Sequence, residues 1–281
     1  MILLRSGSSE ATLLPHLGGA IGSFSIAGRP ILRPTPDGAT DPLETASFPL
    51  VPYANRIADG RFTFSGQEHS LPRNVAGFAH PLHGLGWLKA WSVESQAEES
   101  AVLACAHDAD VDWPWDWTAT QHIELKPDCL RVLLKVTNCS AGPMPCGIGH
   151  HPYFVRPADA KLRFGADGVW LNDAGMIPAE TASADSFGDF AQGALPHTAR
   201  LTDNCWFGWT GSAALGGDVL LSAPGQRFLH VFAPPGEDFI CLEPTSTMPD
   251  AFNRDAGLSG AGALEPGASM RLDMTITVKL D

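Results

Sequence analysis

Glycine and proline set the limit on what this chain can build. Its 281 residues include 29 Gly and 23 Pro, spaced closely enough that no long helix has room between them. Between these breakers apolar and polar residues alternate. "RLDMTITVKL" near the C-terminus places Leu272, Met274, Ile276 and Val278 on one face, the period-two pattern of a half-buried strand. "WTATQHIEL" and "CLRVLLKVTN" are two such segments joined through Lys126-Pro127-Asp128, a hairpin with turn residues at its tip. "TFSGQEHSL" around Gly66 and "SVESQAEESAVLACAHD" around a polar turn read the same way. No segment sustains a three-to-four-residue apolar period, and "ADSFGDFAQ" offers one helical turn at most. No repeat, low-complexity tract or linker is visible. The pattern predicts an all-β chain. A single domain over residues 1–281, built as a large antiparallel β-sandwich, suits this length better than a small barrel.

Composition narrows the function classes. Hydrophobic residues make up 44% and charged residues 17%, the balance of a globular chain. The net charge of −13, with no Lys/Arg cluster, argues against nucleic acid or an anionic membrane as partner, because phosphate neutralisation needs concentrated positive charge. No apolar run approaches the roughly 18 residues that a bilayer requires. The opening "MILLRSGSSEATLLPHLGG" lacks a long apolar core for a secretory signal, so a cytoplasmic location is expected. Cys105, Cys129, Cys139, Cys146, Cys205 and Cys241 form no C-x-x-C pair, which disfavours a zinc knuckle. In a cytosolic chain they are expected to be buried reduced thiols. Oligomeric state leaves no trace in the sequence.

Several stretches carry chemistry. In "VPYANRIADGRF", Asn55 and Arg56 offer fixed donors and an acceptor suited to a polyhydroxyl ligand, although an exposed loop Arg is the plainer reading. In "AHPLHGLGW", His80 and His83 flank Pro81-Leu82, and Gly84 and Gly86 allow close backbone approach; a tight turn with self-satisfied histidines is the plainer reading. "WPWDW" puts Trp113, Trp115 and Trp117 at alternate positions, which reads as a core stripe on one strand face. "GIGHHPYF" sets His150 beside His151, and adjacent strand residues face opposite ways, so only one can enter a given cavity. Asp203 precedes a Trp in "LTDNCW". In "FICLEPTSTMPDAFN", Glu243 follows a buried-looking apolar run and precedes Pro244, which is expected to end the strand there. Desolvation at such a place raises a carboxyl pKa toward the range useful for a general base; a Glu salt-bridged at a sheet rim is the alternative.

No single motif decides, but their order does. N-R-I-x-x-G-x-F, then L-H-G at residue 83, V-T-N, G-H-H-P-Y-F, Asp203, C-L-E-P and P-D-A-x-N together resemble the aldose 1-epimerase family, the galactose mutarotases. "GGAIGSF" is similar to the family's opening hairpin, and the resemblance runs from about Gly18 to the last strand. It implies the mutarotase-like supersandwich, with a sugar cleft on its concave sheet. The implied activity is interconversion of the α and β anomers of a free aldose, without metal or cofactor. Carried over by position, Glu243 is the general base, His151 the general acid and His83 a second active-site histidine. Arg56 and Asp203 are sugar-hydroxyl ligands, and Asn55 lies beside them. His151 should then face the cleft with Tyr153. His150 should face away as a packed or satisfied histidine, and Phe154 should join the core.

The chemistry suits these residues. Opening a pyranose requires a base at O1–H and an acid at the ring oxygen O5, and a carboxylate with an imidazolium can be tuned for both near neutral pH. The chain departs from the common family pattern at Leu85, Val155 and Thr245, and these positions are expected to bear on sugar preference. Two rival classes remain at this stage. One is a carbohydrate-binding homologue that has kept the cleft and lost the chemistry. The other is a metal-dependent enzyme using His80, His83, His150, His151 and Glu243. A glycosidase with Asp203 and Glu243 as paired carboxylates is a weaker third, since one of the two would have to donate a proton.

Overall fold

The computed structural model describes residues 1–196 and 199–280. Among these residues the strands gather into two large sheets, and the longest helix is the four-residue Ala256–Ser259. Glycine and proline thus have the effect expected of them. "ADSFGDFAQ" forms turns.

One sheet has eight strands. Its centre is the hairpin Trp117–Lys126 with Cys129–Asn138, flanked by Ser100–His107 on one side and Ser269–Val278 on the other. Pro127 and Asp128 alone make the turn, and Lys126 pairs with Cys129. Leu272, Met274, Ile276 and Val278 are all buried, as their spacing predicts. They face Leu130, Val132, Leu134 and Val136 from the next strand in a shared core.

The other sheet has twelve strands and carries the site. Four of its strands run side by side in the order Tyr153–Val155, Phe239–Thr245, Phe228–Ala233 and Thr202–Phe207, all antiparallel. Period-two geometry sorts their side chains between two faces. Phe154, Ile240, Leu242, Leu229, Val231 and Trp206 point into the core shared with the eight-stranded sheet. Tyr153, Phe239, Cys241, Glu243, His230, Phe232, Asp203 and Cys205 point the other way. Two packed antiparallel sheets are the predicted sandwich.

Three local expectations need correction. "WPWDW" is not a strand: Trp117 opens a strand, while Trp113 and Trp115 lie in the irregular segment before it. Pro114 between them lacks an N–H for a ladder. All three indoles are nonetheless buried, Trp113 and Trp115 within 5.1 Å of each other. The strand through Glu243 does not stop at Pro244; it continues to Thr245, with Pro244 opposite Leu229. The interruption falls in its neighbour, which breaks between Gly149–His150 and Tyr153–Val155. All six cysteines are free, but only four are buried; Cys129 is half-buried and Cys139 exposed.

Candidate active site

A cavity of about 260 Å³ opens on the outer face of the twelve-stranded sheet. Asn55, Arg56, His83, His151, Asp203 and Glu243 all line it, so the structure brings together every predicted site residue. Leu43, Phe78, Leu82, Tyr153, Phe232 and Phe239 supply apolar wall. Apolar walls with a few convergent polar groups are the usual make-up of a small-molecule site.

Two loops close one side of the cavity, and each holds the other. The His83 backbone N–H donates to the Asn55 carbonyl at 2.9 Å, and the Asn55 N–H donates to His83 Nδ1 at 3.2 Å. Both residues take left-handed backbone angles, φ 59° each. Non-glycine residues held there cluster at functional sites, because the surroundings must over-determine them. Gly84 is obligatory in this clasp: a Cβ on it would lie 2.2 Å from the Val51 carbonyl oxygen. The Asn55 side-chain oxygen accepts from the Arg56 N–H at 2.9 Å and from Arg56 Nη1 at 3.1 Å, which aims the guanidinium. "PDAFN" braces this loop from behind. The Asp250 N–H donates to the Arg56 carbonyl at 2.7 Å, and Asp250 Oδ1 accepts from the Ala58 N–H at 2.9 Å.

The break before Tyr153 brings His151 against Glu243. His151 Nε2 lies 3.3 Å from Glu243 Oε1. The His151 ring is stacked between Phe48 and Tyr153, each 4.7 Å away centre to centre, so His151 and Tyr153 share the cleft face as predicted. Phe154 joins the core. His150 turns away from the cleft and is packed, yet neither ring nitrogen makes a hydrogen bond. It is therefore a packed histidine without the satisfied contacts that would make its burial comfortable, and burial pushes its pKa down to about 3.

Burial dominates the electrostatics. Glu243 is 1% exposed and His151 6%. Desolvation raises the Glu243 carboxyl to about 7; Asp203 adds to the rise, while His230 and Arg56 oppose it. Desolvation also lowers His151 to about 3 and takes His83 well below the ordinary histidine value. The free cleft thus holds His151 as a neutral imidazole, where the sequence reading expected an imidazolium. For Asp203, burial pushes the carboxyl up. The His230 hydrogen bond, the His230 charge and Arg56, 3.4 Å from Oδ2, outweigh it and hold the group below the usual range.

Two ionisable cavity residues escaped the sequence reading. His230 Nε2 meets Asp203 Oδ1 at 2.5 Å. Its only sequence signal is a lone polar residue in the apolar run "RFLHVFAP". Arg33 stacks 3.9 Å over the Tyr153 ring and 4.7 Å over Phe239; its surroundings, "RPILRPT", carry no pattern that marks it. Conversely, Leu85, Val155 and Thr245 do not line the cavity. They pack elsewhere, so the departures they represent do not meet the cavity directly.

A metal ion suits this donor set poorly. His83, His151 and Glu243 have ligand-type atoms within 4.8 Å of one another. But His83 Nδ1 accepts the Asn55 N–H, so the neutral ring keeps its proton on Nε2 and offers no lone pair there. His80 is engaged outside the cavity, where its Nδ1 accepts the Asp59 N–H at 2.9 Å, and His150 faces away. His83 is instead a hydrogen-bond donor.

Comparison with known proteins gives a consistent picture. A sequence model of the family described as aldose 1-epimerase matches residues 1–277. The uncharacterized Escherichia coli protein YphB is 34% identical over 278 residues, covering 93% of each chain. A crystal structure from Escherichia coli K12, provisionally described as an aldose 1-epimerase, superimposes with a TM-score of 0.91 at 31% identity, covering 99% of this chain and 98% of that one. A galactose mutarotase-like protein of Clostridium acetobutylicum shares the fold, with a TM-score of 0.87 at 18% identity over 99% of this chain and 95% of that one.

Proposed function

The chain belongs to the aldose 1-epimerase family, and from that premise we propose that it interconverts the α and β anomers of a free aldose. One observation carries the reading. Glu243, raised to about 7, stands 3.3 Å from a neutral, ring-stacked His151 in a cavity that sets Arg56, Asn55, His83 and Asp203 among apolar side chains.

Glu243 takes the proton from the anomeric O1–H. The O1 lone pair becomes the C1=O1 double bond, and the C1–O5 bond breaks. His151 delivers a proton to O5. A neutral imidazole can serve as electrophile where its pKa is depressed, and the contact with Glu243 closes the circuit. The proton gained by Glu243 passes to His151 and restores both groups. The aldehyde rotates about C1–C2, and reclosure on the other face retraces the steps. Nothing is oxidised, and one proton moves in effect from O1 to O5. His83 donates from Nε2, and Arg56, Asn55 and Asp203 bind ring hydroxyls. No step calls for a metal or an organic cofactor.

Glu243 must be ionised to act as the base. The rate is therefore expected to rise with pH through about 7 and then level. Freshly dissolved pure anomers of galactose, glucose and arabinose, followed by optical rotation, test the reading. At least one should equilibrate faster with the protein than without it, and dialysis against a strong chelator should leave that rate unchanged. No acceleration for any aldose, or a loss restored by one divalent cation, contradicts it.

A further inference from the structure

His230 stands directly opposite Glu243 across one strand boundary and opposite Cys205 across the other. Opposed residues on adjacent antiparallel strands bring their Cβ atoms to about 4.5–5.5 Å on the same face. Asp203 is the diagonal neighbour, and His230 Nε2 holds its Oδ1 at 2.5 Å. The other Asp203 oxygen lies 3.4 Å from Arg56. Asn55 Nδ2 lies 3.5 Å from His230 Nδ1; with the ring an imidazolium both atoms are donors, so this is an approach and not a hydrogen bond. His230 is 2% exposed, and a buried polar ring in an apolar strand costs stability unless it is paired. It is paired here on the cavity side.

We propose that His230 is a positioning residue for the epimerase reaction, which turns Asp203 into the cleft and presents a positive charge to Glu243 from the next strand. The inference rests on the reading of this cleft as an epimerase site. Charge supports it. Burial alone would deprotonate His230, but Glu243 and the Asp203 hydrogen bond outweigh burial and raise its pKa above the ordinary value. Of the groups that face Glu243, Asp203 is anionic, His151 and His83 are neutral, and Cys205 and Cys241 are thiols whose pKa burial pushes up. Arg56 and His230 are the two cations that favour its ionised form. Arg56 is already committed to Asp203 and Asn55.

The test separates charge from shape. His230→Gln keeps a side-chain N–H for Asp203 and loses the charge; His230→Leu loses both. In the Gln variant the acid limb of the kcat/KM profile should move up by about one pH unit or more, the usual effect of a nearby charge, with KM little changed. The rate should recover on the alkaline side. In the Leu variant the limb should move equally and KM should rise about tenfold or more, as Asp203 loses its partner. An equal fall at every pH, with the limb unmoved in both, overturns the proposal.

Carbon-13 titration of the Glu243 carboxyl gives the same comparison without turnover. It distinguishes failure of this inference from failure of the epimerase reading: a protein inactive on every aldose whose Glu243 midpoint still rises in His230→Gln keeps the electrostatic role and loses the reaction. If neither variant folds, nitrogen-15 shifts of the unmodified His230 ring decide. An imidazolium at pH 7 supports the proposal, and a neutral ring overturns it.

Discussion

The two large sheets share one core, yet their strands are buried differently. In the eight-stranded sheet, Trp117–Lys126 alternates residue by residue between buried and more exposed positions, and Cys129–Asn138 keeps every second residue buried. In the site sheet, Phe239–Thr245 is buried at every position, and Thr202–Phe207 and Phe228–Ala233 at all but one each. Loops 51–56 and 82–85 and the aromatic side chains cover the face that would otherwise meet water. Covering that face takes Asp203, His230 and Glu243 out of solvent. In the eight-stranded sheet the alternation serves stability alone. The site sheet buries polar groups on one face, which is unfavourable for folding and shifts their ionisation.

Substitutions on the two sheets should therefore separate activity from stability. The largest effect is expected at His151. His151→Ala removes the proposed proton donor and should lower kcat by about 10²–10⁴-fold. His150→Ala, one residue away on the opposite face, should change kcat by less than about tenfold. A folded, active His151→Ala protein beside an inactive His150→Ala protein would reverse the assignment. Leu134→Ala cuts a fully buried side chain from the regular sheet and should cost about 2–5 kcal/mol of unfolding free energy, with kcat/KM unchanged. Denaturant titration and kinetics on one preparation check both.

A smaller effect has the opposite sign. Glu243 binds its proton more tightly when folded, at about 7 against an ordinary 4.5. Its contribution to stability is full below about 4.5, is lost as pH rises toward 7, and stays lost above. Glu243→Gln should accordingly be more stable than the parent at pH 8, by up to about 3 kcal/mol, and no more stable at pH 4. Thermal unfolding at the two pH values reads this directly. Equal shifts at both would point to a packing effect.

The same contrast explains what the sequence made legible. Hairpins of the regular sheet were readable because water on one face imposes a period of two. Leu272, Met274, Ile276 and Val278 show it plainly. In the site sheet that period disappears, so "FICLEPT" reads only as an apolar run, and the end expected at Pro244 is displaced to the neighbouring strand. The ordered motifs nonetheless singled out residues that converge on one cavity, Glu243, His151, His83, Arg56, Asn55 and Asp203. His230 and Arg33 were not. Each is held by a partner distant in the chain, Asp203 for the one and the rings of Tyr153 and Phe239 for the other. Local pattern holds no record of such contacts. The Trp113–Trp117 stripe failed for a local reason, the proline within it.

The central claim is that Glu243 is the base, and Glu243→Gln tests it most directly. The amide keeps the side chain's shape and cannot accept the anomeric proton. Mutarotation and sugar binding should be measured on the same folded preparation, with circular dichroism as the check on folding. The expected result is a fall in kcat of about 10²–10⁴-fold with sugar affinity within about tenfold, or 1.4 kcal/mol. A folded Glu243→Gln protein that turns over at the parent rate would contradict the account and leave Asp203 as the next carboxylate to test.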